Sequence, residues 1–219
     1  MAIVYSTVAD SFLLKDDASW ATARGDLWGA ADVNNHTSSN SSLAIFNIAF
    51  AARGGGANYV IVRSYFPFDL SGETGTVVSC ELKIYLDRFG SAGDSADVTV
   101  VLATALNGST ADFGNVYRTG TTWGVELVTP ITVSTTAGYH TFTLNSDGIS
   151  EVNNAVASGT LTVGLVGDYY DFNGNAPPLS GNYTQIGAHY ADYGSSDRRP
   201  YLDITYGTVG NATFFGTNF

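Results

Sequence analysis

Residues 77–89, Val-Val-Ser-Cys-Glu-Leu-Lys-Ile-Tyr-Leu-Asp-Arg-Phe, put Val78, Cys80, Leu82, Ile84 and Leu86 on alternate positions. A period of two over that length gathers apolar side chains on one face of a strand and scatters them around a helix. The preceding run, residues 63–70, carries Phe66 and Phe68 in the same phase and ends at Phe68-Asp69-Leu70. Ser71-Gly72-Glu73-Thr74-Gly75 supplies turn chemistry between them. The two runs read as an apolar hairpin of an antiparallel β domain, with Phe66, Phe68, Cys80, Leu82 and Ile84 in one core. Pro67 predicts an edge, a bulge or the end of the first run.

Similar short runs recur before and after this pair, at 2–8, 10–14, 43–50, 96–106, 126–134, 139–144, 160–166, 183–190 and 199–206. The period changes once. Ile149, Val152 and Val156 fall at helical spacing, with Ser146 or Asp147 as a cap and Gly159 as a stop, which predicts one short helix near 149–157. Even spacing of many short strands with turn signals predicts an all-β, antiparallel jelly-roll β-sandwich. Neither a repeat nor a composition break divides the 219 residues, so residues 1–206 read as one domain. Residues 207–219 read as a tail in which Phe214, Phe215 and Phe219 need a covering surface, on this chain or on a neighbour.

Nine basic against twenty acidic residues give a net charge of −11, which repels phosphate backbones and anionic membranes. Nucleic acid and membrane are therefore not expected partners. Cys80 is the only cysteine and lies on the apolar phase of its strand, as a small core hydrophobe does. The N-terminus has no basic n-region ahead of a long apolar run, and no stretch approaches a membrane span.

Catalytic signatures are missing from the sequence. His36, His140 and His189 are dispersed without zinc spacing, and Gly54-Gly55-Gly56 has neither the helix nor the lysine of a phosphate loop. A non-enzymatic role is the expectation. Two long polar segments, 15–42 and 167–181, carry Trp20, Trp28, Tyr169, Tyr170 and Phe172, aromatics of the kind that stack on sugars or on a partner, or plug the ends of a sandwich. Asp168, Asp171 and Asn173 offer hard oxygen ligands for calcium, although the same residues are ordinary turn formers and the EF-hand pattern fails. No other cofactor is expected.

Several of these runs fall in the order of a known family. Ala9-Asp10, the Asn- and Ser-rich approach at 35–43, Arg63 with Tyr65 and Phe68-Asp69-Leu70-Ser71, the strand at 79–86, Thr121-Thr122-Trp123, the segment 138–144 before the helix, and Arg199-Pro200-Tyr201-Leu202-Asp203-Ile204-Thr205-Tyr206 together resemble the DNRLRE-type domain. That domain is a jelly-roll β-sandwich related to galactose-binding-like and carbohydrate-binding modules. The resemblance covers residues 9–206; Tyr139 stands where the family has Trp, and the motif that names the family is absent. It implies a structural or binding module without catalytic residues. The expectation from chain and resemblance together is a virion structural protein, made in a host cytoplasm, decorating a capsid or associated with a tail. Its partners would be other copies of itself or a major capsid or tail protein, in a homo-oligomer or lattice. The alternatives are a secreted or cell-surface carbohydrate-binding or adhesive module, or an exported filament subunit.

Overall fold

The computed structural model describes residues 1–25, 33–35, 42–51, 56–91, 97–119, 122–179, 183–192 and 196–207. The first half of the chain forms β1 (Ala2–Tyr5), β2 (Ser11–Asp17), α1 (Trp20–Gly25), β3 (Val33–Asn35), β4 (Ser42–Ala51), β5 (Ala57–Asp69), β6 (Val77–Ser91) and β7 (Asp97–Ala103). The second half forms β8 (Tyr117–Thr119), β9 (Thr122–Trp123), β10 (Ile131–Thr132), β11 (Gly138–Thr143), α2 (Ser146–Ser158), β12 (Thr160–Gly167), β13 (Tyr183–Ala188) and β14 (Tyr201–Tyr206). Every pairing is antiparallel, and the fold is all-β and sandwich-like.

Two long strands organise it. β6 pairs β11 on one edge, while its other edge passes from β14 at residues 77–83 to β13 at residues 86–91. β5 does the same: one edge pairs β2, and the other passes from β4 at 57–62 to β12 at 64–69. The path β6–β13–β4–β5 thus carries hydrogen bonding from one layer into the other.

β5 and β6 are not hydrogen-bonded to each other, so the expected hairpin is instead an arch between layers. Alternation dictates which side chains face the core, and both strands satisfy that across the sandwich as readily as side by side. Phe66, Phe68, Cys80, Leu82 and Ile84 do share one core, together with Phe142, Val152, Leu161 and Leu202. Val78 departs from its expected phase. The β14–β6 register shifts between Thr205 and Tyr206, so Val77 is buried and Val78 is 53% exposed. Pro67 stays inside β5, opposite Thr162, and its carbonyl accepts from the Thr7 amide at 2.8 Å.

The helix α2 begins earlier than its apolar spacing predicts. Asn145 caps it, its Oδ1 accepting from the Gly148 amide at 2.8 Å, and Gly159 ends it at φ +104°. Val152 and Ala155 face the core. Asn153 is the second anchor: its Oδ1 accepts from the Val77 amide at 2.9 Å and its Nδ2 donates to the Val77 carbonyl at 3.1 Å. Asn153→Ala is expected to cost about 1–3 kcal/mol, because Val77 is buried and both backbone groups lose their partner. The check is a lower denaturant midpoint with an unchanged slope. The six residues of α1 fall in the first of the two long polar segments, 15–42.

Candidate functional site

β5 is buried from Val60 to Phe68 on both faces. Its even-numbered residues Phe66 and Phe68 enter the main core, while Ile61 and Tyr65 enter a second one with Leu13, Phe113, Val116, Tyr117 and Val166. Arg63 lies on the same outer face, fully buried, where the strand exchanges β4 for β12. Its Nε donates to Asp171 Oδ2 and its Nη2 to Asp171 Oδ1, both at 2.7 Å. The remaining donors reach the Phe113 carbonyl at 3.0 Å, the Arg24 carbonyl at 3.1 Å and the Tyr117 hydroxyl at 2.9 Å. The guanidinium also stacks 4.2 Å from the Phe113 ring centroid and 5.1 Å from that of Trp123. Burial alone would favour loss of its proton; the Asp171 carboxylate outweighs that and holds Arg63 charged.

This centre accounts for most of the loop aromatics. Residues 168–172 make a π-helical turn in which Tyr170 and Asp171 are buried. Phe172 is half-buried, 5.1 Å from Trp123, and Trp20 is half-buried with its Nε1 donating to the Gly174 carbonyl at 3.1 Å. Among the described loop aromatics Tyr169, 44% exposed, is the one that faces water. Trp28, Phe214, Phe215 and Phe219 lie outside the described residues. Of the calcium candidates, Asp171 has both carboxylate oxygens on Arg63, and Asn173 donates to the Asp168 carboxylate at 3.0 Å. Burial, with Asp97 and Glu126 close by, pushes the Asp168 carboxyl up. Among the described residues no cluster of three or more His, Cys, Asp or Glu has metal-like geometry.

His140 and His189 are sheet-associated and hydrogen-bonded, His140 with the Thr136 carbonyl at 3.1 Å and His189 with Asp87 at 2.9 Å. Cys80 is buried, and burial with Asp203 and Glu81 nearby raises its thiol to about 12, which removes nucleophilic character at neutral pH.

A surface of another kind lies on the outside of the layer β1–β14–β6–β11. In each strand the residues between core positions point outward, and the register aligns them across the sheet. Tyr5 stands opposite Tyr201, Tyr201 opposite Lys83, Lys83 opposite Thr141, and Tyr85 opposite Tyr139. Ring centroids follow one another at 5.7 Å (Tyr5–Tyr201), 5.4 Å (Tyr201–Tyr139) and 5.5 Å (Tyr139–Tyr85). The Tyr139 hydroxyl shares its proton between the carbonyls of Asp197 at 2.7 Å and Arg199 at 3.1 Å, which fixes the third ring of the ladder. Arg198 lies over Tyr85 and Arg199 over Tyr5. Sequence reading passed over this ladder although part of its signal was present: Tyr5, Tyr85 and Tyr201 each sit one residue from a core position, at Val4, Ile84 and Leu202.

These features define an all-β sandwich-like module with a pinned interior and an aromatic outer sheet. No protein-family model matches the chain, and a comparison with curated proteins finds no match.

Proposed function

We propose that the chain is a non-enzymatic structural protein of a virion, decorating a capsid or associated with a tail, that acts by contact with other copies of itself or with a major capsid or tail protein. The observation that carries this reading is the edge strand β1. It pairs only β14 among the described strands, and it exposes Ile3 (52%) and Tyr5 (46%), with Met1 (87%) just before it. Open strand edges bearing large apolar side chains are what strand addition and subunit docking use. The acidic balance of the chain restrains non-specific association while leaving such a contact available. The order of motifs that resembles the DNRLRE-type domain supports the same non-catalytic class.

Multi-angle light scattering on the intact chain tests it. A stable oligomer is expected, and Ile3→Lys is expected to reduce it to monomer with an unchanged melting temperature. Removing residues 208–219 separates any contribution of the Phe-rich tail. A chain that is monomeric at all concentrations, and that does not sediment with purified capsids or tails, defeats the reading.

A further inference from the structure

We infer that the cleft between α2, the end of β7 and the β8–β9 pair binds a short apolar peptide with free termini, its carboxylate on Arg118 and its ammonium on Glu151. This goes beyond the assembly role, because none of the residues that line the cleft belongs to β1, β14, β6 or β11.

Two cavities make up the cleft, of about 210 and 150 Å³, and they share Leu102, Ala103 and Glu151. Tyr117 and Val125 extend the apolar floor of the larger, and Ala155 and Leu161 that of the smaller. Each is below the usual range for a drug-sized ligand; joined, they suit a molecule of two residues. The walls are fixed by backbone contacts. The Leu102 amide donates to the Val125 carbonyl at 2.7 Å, the Thr104 amide to the Asn115 carbonyl at 2.9 Å and the Gly124 amide to the Val116 carbonyl at 2.7 Å. A Cβ at Gly124 would meet the Leu102 carbonyl oxygen at 2.0 Å, so only glycine lets this wall lie so close to β7. Across the cleft α2 is held by its Asn145 cap and by Asn153 on Val77. Walls set in advance leave little ordering entropy to oppose binding.

The charges on the cleft select the ligand. Exposed Arg118 and half-buried Glu151 both line the larger cavity, yet they form no ion pair with each other. Among the described residues the Arg118 side chain has no hydrogen bond, ion pair or ring contact, and the Glu151 side chain has only the Asn154 amide, at 3.3 Å. Every other described arginine and lysine is engaged, so Arg118 is the one free to take a ligand. Opposite charges held apart over an apolar floor suit a molecule that carries both. A polyanion or a lone carboxylate meets Glu151 as like charge, and a lone cation meets Arg118. A neutral apolar molecule takes water from both ions and replaces it with nothing. A zwitterionic peptide gives each ion a partner and lays its apolar side chain on Leu102 and Ala103.

The test is isothermal titration of the full chain with leucyl-alanine, alanyl-leucine and phenylalanyl-alanine. Glycyl-glycine serves as the peptide without an apolar side chain, and octanoate as the apolar lone carboxylate. At least one apolar dipeptide is expected to bind roughly tenfold more tightly than either control. Acetylating its amine or amidating its carboxylate is expected to weaken binding roughly tenfold, the size of one charged hydrogen bond. Arg118→Gln is expected to bring the free dipeptide down to the level of the amidated one and to leave the amidated form unchanged. Glu151→Gln is expected to do the same with the acetylated form. Neither side chain belongs to a core cluster, so both variants are expected to melt as the parent does. The proposal is overturned if no apolar dipeptide binds, if blocked dipeptides bind as free ones do, or if the folded variants bind them as the parent does. Octanoate that binds more tightly than the dipeptides, and more tightly still to Glu151→Gln, would make the cleft a carboxylate site and also overturn it.

Discussion

Arg63→Met is expected to lower stability by about 3–5 kcal/mol, the range for leaving one member of a buried ion pair without its partner. For a chain of this size that corresponds to a fall in melting temperature of roughly 6–20 °C. Arg63 and Asp171 are both 0% exposed, so neither charge has water to fall back on. The loss is wider than one ion pair, because Arg63 also holds the carbonyls of Phe113 and Arg24. Those residues belong to the segments that cover the outer face of β5, and Arg24 itself donates to the Asp171 and Phe172 carbonyls. Removing the guanidinium therefore loosens the π-helical turn and the 110–116 segment together. The double variant Arg63→Met with Asp171→Leu is expected to recover most of the loss, since well-packed apolar replacements of buried pairs are often neutral or stabilising. Thermal melts of the three variants decide the matter. A single Arg63→Met within about 1 kcal/mol of the parent would assign the cover to packing alone.

The same arginine shows where sequence reading reaches and where it stops. Alternation in residues 77–89 fixed the side of the strand that faces inward, and Cys80, Leu82 and Ile84 are buried as that pattern requires. It carried no information about strand partners, because a face is a property of one strand and pairing a property of two. Residues 60–68 are apolar on nearly every position, which signals a strand covered on both faces. Taken seriously, that run would have predicted a cover over Arg63 and turned Trp20, Tyr170 and Phe172 inward. The helix was legible from the spacing of Ile149, Val152 and Val156, but not its cap. Asn145, Ser146 and Asp147 all have capping chemistry, and only the backbone geometry selects Asn145. The outer ladder was readable residue by residue and not as a surface. Tyr5, Tyr85, Tyr139 and Tyr201 are far apart in sequence, and only the register of three strand pairs brings their rings together.

Asp10→Asn is expected to stabilise the protein above neutral pH and to leave it unchanged in acid. Asp10 is 1% exposed; its Oδ2 accepts from the Ser6 hydroxyl at 2.8 Å and from the Ala191 amide at 2.7 Å, and its Oδ1 has no hydrogen-bond partner. Burial, reinforced by Asp192 and only partly offset by the two hydrogen bonds and by Arg199, raises its carboxyl from 3.8 to about 7. The folded chain thus holds a proton that the unfolded chain has already released between those two values. Unfolding then releases that proton, so stability falls as pH rises across the window and is level above it. At 1.36 kcal/mol for each unit the full difference is roughly 4 kcal/mol. Asparagine keeps an acceptor for Ser6 and Ala191 and never ionises, so the parent-minus-variant difference isolates this one group from the other carboxylates. Denaturant midpoints at pH 8, 6 and 4 should show the variant ahead by several kcal/mol, then by less, then level. Parallel curves at all three values, or a variant weaker than the parent at pH 8, would mean that the carboxylate is stabilised where it stands. The consequence reaches the proposed assembly edge: Asp10 ties Ser6, the residue that follows β1, to the segment after β13, so the state of this carboxyl sets how firmly the exposed strand is held.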